Sequence, residues 1–180
     1  MKVLVAYASR AGSTGGIAER IGETLRKSGL SVEVTQVGAV GDLASYDAFV
    51  VGSAVYMFHW LKEAQQFVKE NRAVLAARPV WIFSSGPTGL KQTDAKGRNL
   101  RETSGPQEID DLRKWANPRD HRVFFGALFP ERLKGATGFF ARHTPKEDQG
   151  DFRDWAEIDA WAGGIARSLQ AAPAAGTGSA

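Results

Sequence analysis

KVLVAYA at residues 2–8, SRAGST at 9–14 and GGIAERI at 15–21 decide the fold of this chain. The first run is apolar, lacks polar alternation and is short for a helix, which predicts a strand buried on both faces. After the small-residue loop, apolar side chains recur every four residues from Ile17 to Leu25, which predicts a helix with one apolar stripe. The chain is therefore expected to begin with a buried strand that passes through a tight loop into a helix.

The loop at 9–14 has the features of an anion site. N–H groups in such a loop and in the first helical turn have no helical partner, and the helix dipole is positive there. Gly12 allows close approach of the backbone, and Ser9, Ser13 and Thr14 carry hydroxyl donors. The loop matches neither the dinucleotide fingerprint GxGxxG nor the triphosphate loop GxxxxGK[ST]. It therefore predicts a phosphate site of another class, with a plain strand-to-helix turn as the alternative.

Length and composition indicate one globular domain. The chain has 180 residues, 43% of them apolar and 24% charged, and no apolar stretch long enough for a membrane span or a signal peptide. It has no cysteine, which excludes disulfides, iron–sulfur clusters and zinc–thiolate sites. His59, His121 and His143 show no metal-binding spacing. We expect a cytoplasmic domain over residues 1–170, without a metal, and a disordered tail at 171–180.

The charge pattern restricts the partners only weakly. The net charge is +3, and the chain contains no lysine-rich or acidic block. No nucleic-acid partner is therefore expected. A mild basic excess suits an acidic substrate, an acidic partner or a lipid surface, but ordinary solubility charge explains it more simply.

The rest of the chain alternates strands with helices. Residues 31–36 alternate as an edge strand does. Further strands are predicted at 48–53, 79–84 and 123–128, and helices near 61–68, 107–115 and 155–169, the last with a capping pattern at Asp154 and Glu157. This order predicts a parallel sheet with helices on both faces and a ligand site at the carboxyl ends of its strands. The irregular stretches 86–106 and 130–150 are typical of functional or mobile loops.

Four motifs in this order resemble one known family. They are Ser-Arg-x-Gly-x-Thr at 9–14, Val-Gly-Ser-Ala-Val at 51–55, Phe-Gly-Ala-Leu-x-Pro at 125–130 and Asp-Trp at 154–155. Over residues 2–169 the chain resembles the flavodoxin-like, FMN-binding family, in the branch that includes the menaquinone-dependent protoporphyrinogen oxidases. The resemblance implies an α/β three-layer sandwich with a five-stranded parallel sheet of order 2-1-3-4-5. It also implies FMN as the cofactor.

The flavin site is predicted where three loops follow neighbouring strands. The resemblance assigns the phosphate loop to Ser9, Arg10, Ala11, Gly12, Ser13 and Thr14, and a second flavin loop to Ser53, Ala54, Val55 and Tyr56. A third loop is expected to offer backbone N–H groups to the flavin edge from Ser85, Gly86, Pro87, Thr88 and Gly89.

Aromatic side chains in the second loop suit a flat flavin ring. Tyr56 is the first choice for stacking, with Phe58 or Trp60 second, although each of them has core packing as its alternative. His59 could donate a proton or bind an anion, but a structural histidine is the simpler interpretation. Arg10 faces either the phosphate or solvent. No catalytic residue is assigned.

One segment departs from the oxidases. Their long basic and apolar insertion before the last helix corresponds here to the shorter, more polar segment 130–150. This segment keeps some of that character in Arg132, Lys134, Phe139, Phe140 and Arg142. Peripheral membrane contact through it is possible. The resemblance therefore supports FMN as the cofactor more strongly than it supports a porphyrinogen as the substrate.

The leading hypothesis is an FMN-dependent oxidoreductase that passes electrons from a reduced substrate or donor to a quinone-like acceptor. Whether it is protoporphyrinogen oxidase-like stays open, as do the donor, the acceptor and the oligomeric state. The alternatives are an electron carrier without its own substrate and a flavin-free binding module of the same fold.

Overall fold

The computed structural model describes residues 1–132, 135 and 142–171. Its strands are β1 (Lys2–Ala8), β2 (Ser31–Gln36), β3 (Ala48–Tyr56), β4 (His59–Trp60), β5 (Val80–Ser85), β6 (Asp120–Phe124), β7 (Ala127–Leu128) and β8 (Gly150–Asp151). Its helices are α1 (Ser13–Lys27), α2 (Lys62–Glu70), α3 (Arg72–Ala76), α4 (Leu100–Thr103), α5 (Ile109–Ala116) and α6 (Trp155–Ala171).

The five long strands form a parallel sheet in the order β2-β1-β3-β5-β6. Counting only these strands along the chain, the order is 2-1-3-4-5, so the predicted topology is confirmed. Val5 of β1 lies opposite Val34 of β2 on one side and opposite Val50 of β3 on the other. The strand β4 pairs antiparallel with the end of β3. The loops that follow β1, β3 and β5 therefore leave the same edge of the sheet side by side.

Helices cover both faces of the sheet, as the three-layer prediction requires. On one face, Leu4 and Phe49 pack with Phe67 of α2 and Leu112 of α5. On the other, Val3, Val5 and Val50 pack with the apolar stripes of α1 and α6, such as Ile17, Ile21, Ile158 and Ile165. Strands buried from both sides read as unbroken apolar runs, which is why β1 and β3 lack polar alternation.

The fifth strand differs from its prediction. The apolar run 123–128 suggested one strand, but β6 ends at Phe124. At Gly126 the chain leaves the sheet, because its N–H donates to Pro87 O at 2.9 Å and its carbonyl accepts from Phe152 N at 3.1 Å. The next residues form β7, which pairs antiparallel with β8. An apolar run alone cannot show that its second half belongs to another sheet.

Other boundaries differ less. The strand β3 extends to Tyr56 rather than residue 53, and the irregular stretch 86–106 contains the short helix α4. The capping pattern before α6 is half formed, since Asp154 Oδ1 accepts from Glu157 N at 3.0 Å. Ala171 still belongs to α6, while the rest of the predicted tail lies outside the described residues.

Of the basic and apolar residues singled out in 130–150, Lys134, Phe139 and Phe140 also lie outside the described residues. In the part of the chain that the structure describes, no helix is long and apolar enough to cross a membrane. The single-domain boundary at residue 170 stays a prediction.

Candidate functional site

The loop between β1 and α1 makes a tight turn around Gly12. This residue has φ +84°, a left-handed conformation that strains any residue with a Cβ. Its N–H donates to Ser9 Oγ at 3.1 Å, which closes the turn. The first turn of α1 contains no acidic side chain, and basic residues lie in the last turn. The N-terminus of this helix is therefore electropositive and accessible to an anion.

Thr14 is the clearest sign that this loop binds a ligand. The residue is only 1% exposed, and its hydroxyl has no hydrogen-bond partner among the described residues. A buried hydroxyl without a partner costs about 1–3 kcal/mol. Thr14 lines the cleft at the carboxyl edge of the sheet, so a hydrogen-bond acceptor bound there would give its hydroxyl a partner.

This cleft has a volume of about 210 Å³ and receives side chains from four loops. Its lining includes most of the predicted site residues and four that were not predicted. It is formed by Ser9, Ala11, Ser13, Thr14, Ala54, Val55, Tyr56, Met57, Ser85, Gly86, Thr88, Gly126, Ala127 and Leu128. The structure thus brings the three predicted loops together.

The fourth loop, at residues 126–128, was missed because it was assigned to the fifth strand. Ala127 N donates to Ser13 Oγ at 2.8 Å, which joins this loop to the phosphate loop. A Cβ at Gly126 would lie 3.1 Å from Ser85 Oγ and 3.4 Å from Ser13 Oγ. Glycine therefore keeps the cleft open at the point where three loops meet. A glycine directly after a buried strand was the available sequence signal.

Several predicted site residues shape the loops rather than line the cleft. Ser53 is fully buried, and its hydroxyl accepts from Leu61 N at 3.1 Å. The carbonyl of Pro87 accepts from Gly126. Gly89 has φ +104°, and a Cβ there would collide with Asp148 Oδ1.

Arg10 is exposed, with its guanidinium carbon 5.4 Å from the centre of the Tyr56 ring. Burial raises the pKa of Tyr56, and the positive charge of Arg10 only partly opposes this shift. Tyr56 is therefore a neutral phenol at neutral pH. Its ring lines the cleft, in the place where stacking was predicted.

Tyr56 belongs to a strained hairpin. Met57 and Phe58 connect β3 to β4 with φ +49° and +65°, the pattern of a two-residue type I′ turn, which usually uses Asn or Gly. Bulky residues in this conformation cost free energy and are most often found at functional sites. Their side chains are 89% and 53% exposed. Phe58 O accepts from Gln107 N at 2.8 Å, which fixes the turn.

Trp60 anchors this hairpin in the interior. It is 2% exposed, and its Nε1–H donates to Ser84 Oγ at 2.8 Å. Ser84 Oγ in turn lies 2.9 Å from His121 Nε2. Burial, reinforced by the charge of Arg113, lowers the pKa of His121 to about 4, so this histidine is neutral at neutral pH. Trp60 thus has a structural role, which leaves Tyr56 and Phe58 as the candidates for stacking.

A second cavity, of about 520 Å³, lies beside the cleft, and Tyr56 lines both. His59 and Glu108 also line it, with 2.5 Å between His59 Nδ1 and Glu108 Oε1. A further cavity of about 630 Å³ runs along β6 and contains His121, but none of the predicted site residues. Among the described residues, no cluster of histidine and acidic side chains could hold a metal.

Taken together, the fold and this cleft define an α/β protein with a tight glycine-containing loop between its first strand and first helix, at the carboxyl edge of a parallel sheet. Residues 4–152 match the flavodoxin domain family, so the chain belongs to that family. FMN is the cofactor that this membership indicates.

Individual relatives are distant. The chain is 24% identical over 176 residues to "Protoporphyrinogen IX dehydrogenase [quinone]" of Escherichia coli strain K12, covering 92% of this chain and 95% of that protein. Among solved structures it is similar to an archaeal flavodoxin (18% identity, TM-score 0.58) and to oxidised flavodoxin 2 of Bacillus cereus (20%, TM-score 0.59). Each of these covers 94% of this chain and 99% of the flavodoxin. These structures support the fold.

The residues present fit FMN. The unpartnered Thr14 hydroxyl and the free N–H groups of the first turn of α1 suit a phosphate, which accepts hydrogen bonds. The Tyr56 ring offers an apolar wall, and Gly126 leaves room where the loops meet. The chain is therefore a flavodoxin-type protein that acts as an FMN oxidoreductase or electron carrier.

Proposed function

We propose that the chain is an FMN-dependent oxidoreductase that passes electrons from a reduced substrate or donor to a quinone-like acceptor. The observation that carries this proposal is the buried, unpartnered Thr14 hydroxyl at the end of a cleft lined by Tyr56. The name of the Escherichia coli relative supports a quinone as the acceptor. When bound, FMN supplies the ability to accept and release two electrons.

The residues of the chain bind and orient the cofactor. The phosphate loop 9–14 is assigned to the FMN phosphate, through Thr14 and the N–H groups of the first turn of α1. Tyr56 is assigned to stacking on the flavin ring. Backbone groups of 85–89 are assigned to the flavin edge. Ser53, Pro87 and Gly89 contribute by holding these loops in shape.

The test begins with the visible absorbance of the purified protein after addition of excess FMN and desalting. Retained flavin bands would support cofactor binding. The holoprotein is then reduced with dithionite without oxygen and mixed with menadione, a soluble quinone. Return of the oxidised spectrum faster than that of free reduced FMN is expected. A colourless desalted protein, or no acceleration, would contradict the proposal.

An electron carrier without its own substrate is the second candidate. Met57, which lines the cleft, is 89% exposed, and Phe58 beside it is 53% exposed. An exposed apolar tip next to a redox cofactor suits docking of a protein partner. Reduction of a carrier protein at a rate far above that of menadione would favour this candidate. Neither proposal includes peripheral membrane contact through residues 130–150.

A further inference from the structure

Beside the cofactor cleft lies the cavity of about 520 Å³, whose lining combines an aromatic wall with hydrogen-bond donors. Tyr56 lines both spaces, so the two cavities adjoin at this residue. Arg10, Lys62 and Gln65 contribute donors, and Leu61 contributes an apolar side chain. A volume of this size is typical of small-molecule sites.

The cavity also contains a histidine oriented by a carboxylate. His59 Nδ1 lies 2.5 Å from Glu108 Oε1, and Glu108 Oε2 accepts from Trp60 N at 3.4 Å. The carboxylate thus fixes the orientation of the ring. Among the described residues, Nε2 of His59 has no hydrogen-bond partner. The side chain is 52% exposed, so it exchanges protons with solvent.

His59 also lies next to Tyr56. It is directly opposite Tyr56 in the β3–β4 pair, and opposite residues of an antiparallel pair place their side chains on the same face. The turn between these two residues is fixed by the hydrogen bond from Gln107 N to Phe58 O. The buried Trp60, which follows His59, anchors the strand through its bond to Ser84. A planar molecule bound in this cavity beside Tyr56 and Arg10 would therefore have its polar edge within reach of His59.

We propose that this cavity is the site of the quinone-like acceptor and that His59, oriented by Glu108, protonates one of its carbonyl oxygens. The proposal rests on the proposed function. Reduction of a quinone places negative charge on its oxygens, which the positive charges of Arg10 and Lys62 would stabilise. Glu63 and Glu108 line the same cavity with negative charge, so the oxygens are expected on its Arg10 and Lys62 side. Because Tyr56 lines both cavities, an acceptor bound in this one would lie next to the cofactor cleft.

The reaction balances as follows. The quinone gains two electrons and two protons, and its two C=O groups become C–OH groups. Reduced FMN loses two electrons and two protons, and these protons are released to solvent. One proton reaches the quinone from His59 Nε2, which recovers it from solvent, and the second comes from solvent directly.

The first test measures binding without turnover. The chain has three histidines, so ¹⁵N-imidazole NMR of the oxidised, FMN-loaded protein reports on each of them. On addition of menadione we expect the signals of His59 to shift, while those of His121 and His143 stay in place. The His59→Gln variant identifies the His59 signals. Shifts confined to His121 or His143, or no shift at saturating menadione, would overturn the proposed site.

The second test measures reoxidation of the reduced holoprotein by rapid mixing. With menadione, His59→Gln is expected to lower the rate by about 100-fold, the usual effect of losing a general acid, and to bring the solvent isotope effect to about 1. With ferricyanide, which takes electrons without protons, the rate should stay within about twofold. His143→Gln is the matched control and should behave as the unmodified protein does.

A positioning role for Glu108 gives a third readout. Glu108→Gln keeps an acceptor oxygen for His59 Nδ1, so it should retain more of the menadione rate than Glu108→Ala does, with FMN affinity unchanged in both. If the unmodified protein does not react with menadione at all, the proposed function fails. If it reacts and His59→Gln reacts equally fast, only the acceptor site and the role of His59 are refuted.

Discussion

Replacing Thr14 by valine tests whether its hydroxyl binds a ligand or supports the fold. The substitution keeps the shape of the side chain and removes a hydroxyl that is buried without a partner. In the cofactor-free protein it removes a desolvation cost of about 1–3 kcal/mol, so the free energy of unfolding should increase by an amount in that range. Most core substitutions lower stability, so the sign alone is informative.

With FMN bound, the same substitution should have the opposite effect. A hydrogen bond to a charged phosphate contributes about 1.5–3 kcal/mol. Its loss raises the Kd for FMN by roughly 10- to 150-fold. The substitution should thus stabilise the free protein and weaken the complex, a combination that damage to the fold cannot produce.

Urea unfolding without FMN gives the first quantity, and quenching of FMN fluorescence on titration with the protein gives the second. Thr14→Ser, which keeps the hydroxyl, is the control and should bind FMN within a few-fold of the original Kd. The reasoning is refuted if Thr14→Val lowers the free energy of unfolding of the cofactor-free protein and leaves the Kd for FMN unchanged.

Three further predictions test other parts of the structure. In Gly126→Ala the new methyl group would lie 3.1 Å from Ser85 Oγ, so fluorescence titration should show weaker FMN binding while the Tm of the cofactor-free protein changes little. In Gly52→Ala the methyl group would meet the Phe83 ring at 2.1 Å, so urea unfolding should show a loss of about 1–3 kcal/mol or more; an unchanged midpoint would contradict the packing. The pKa of His121 is lowered to about 4, mainly by burial. Between about pH 6.5 and pH 4 the histidine is therefore protonated in the unfolded chain but not in the folded one. The free energy of unfolding should decrease as pH falls through this range. His121→Gln should remove that part of the pH dependence, and an unchanged profile would show that burial does not hold the imidazole neutral.

The sheet could be predicted from the sequence because its central strands are buried on both faces. Such strands need unbroken apolar runs, and β1 and β3 have them. The end of the fifth strand could not be predicted, because Phe125 and Ala127 are also buried although they lie outside β6. Burial sets the hydrophobic pattern, while hydrogen bonds of Gly126 to distant residues decide where the strand ends.

The site was predicted at the level of loops but not of single residues. Parallel strands in the order 2-1-3-4-5 bring the loops after β1, β3 and β5 together whatever their side chains are. Ser53, at the end of β3, and Thr14, at the start of α1, look alike in the sequence as small hydroxyl residues. The structure distinguishes them, because the Ser53 hydroxyl accepts from Leu61 N, whereas the Thr14 hydroxyl has no partner among the described residues.

His59 precedes Trp60 in β4, and His121 is linked to Trp60 through Ser84, yet the surroundings of the two histidines differ. His121 is half-buried against Ser84 and is neutral at neutral pH. His59 lies on the outer side, half-exposed and paired with Glu108, where a proton can be exchanged with solvent. The hairpin is therefore fixed from inside by a network without charge and carries its ionisable pair outside. The proposed proton transfer from His59 would therefore leave unchanged the packing that positions the Tyr56 ring.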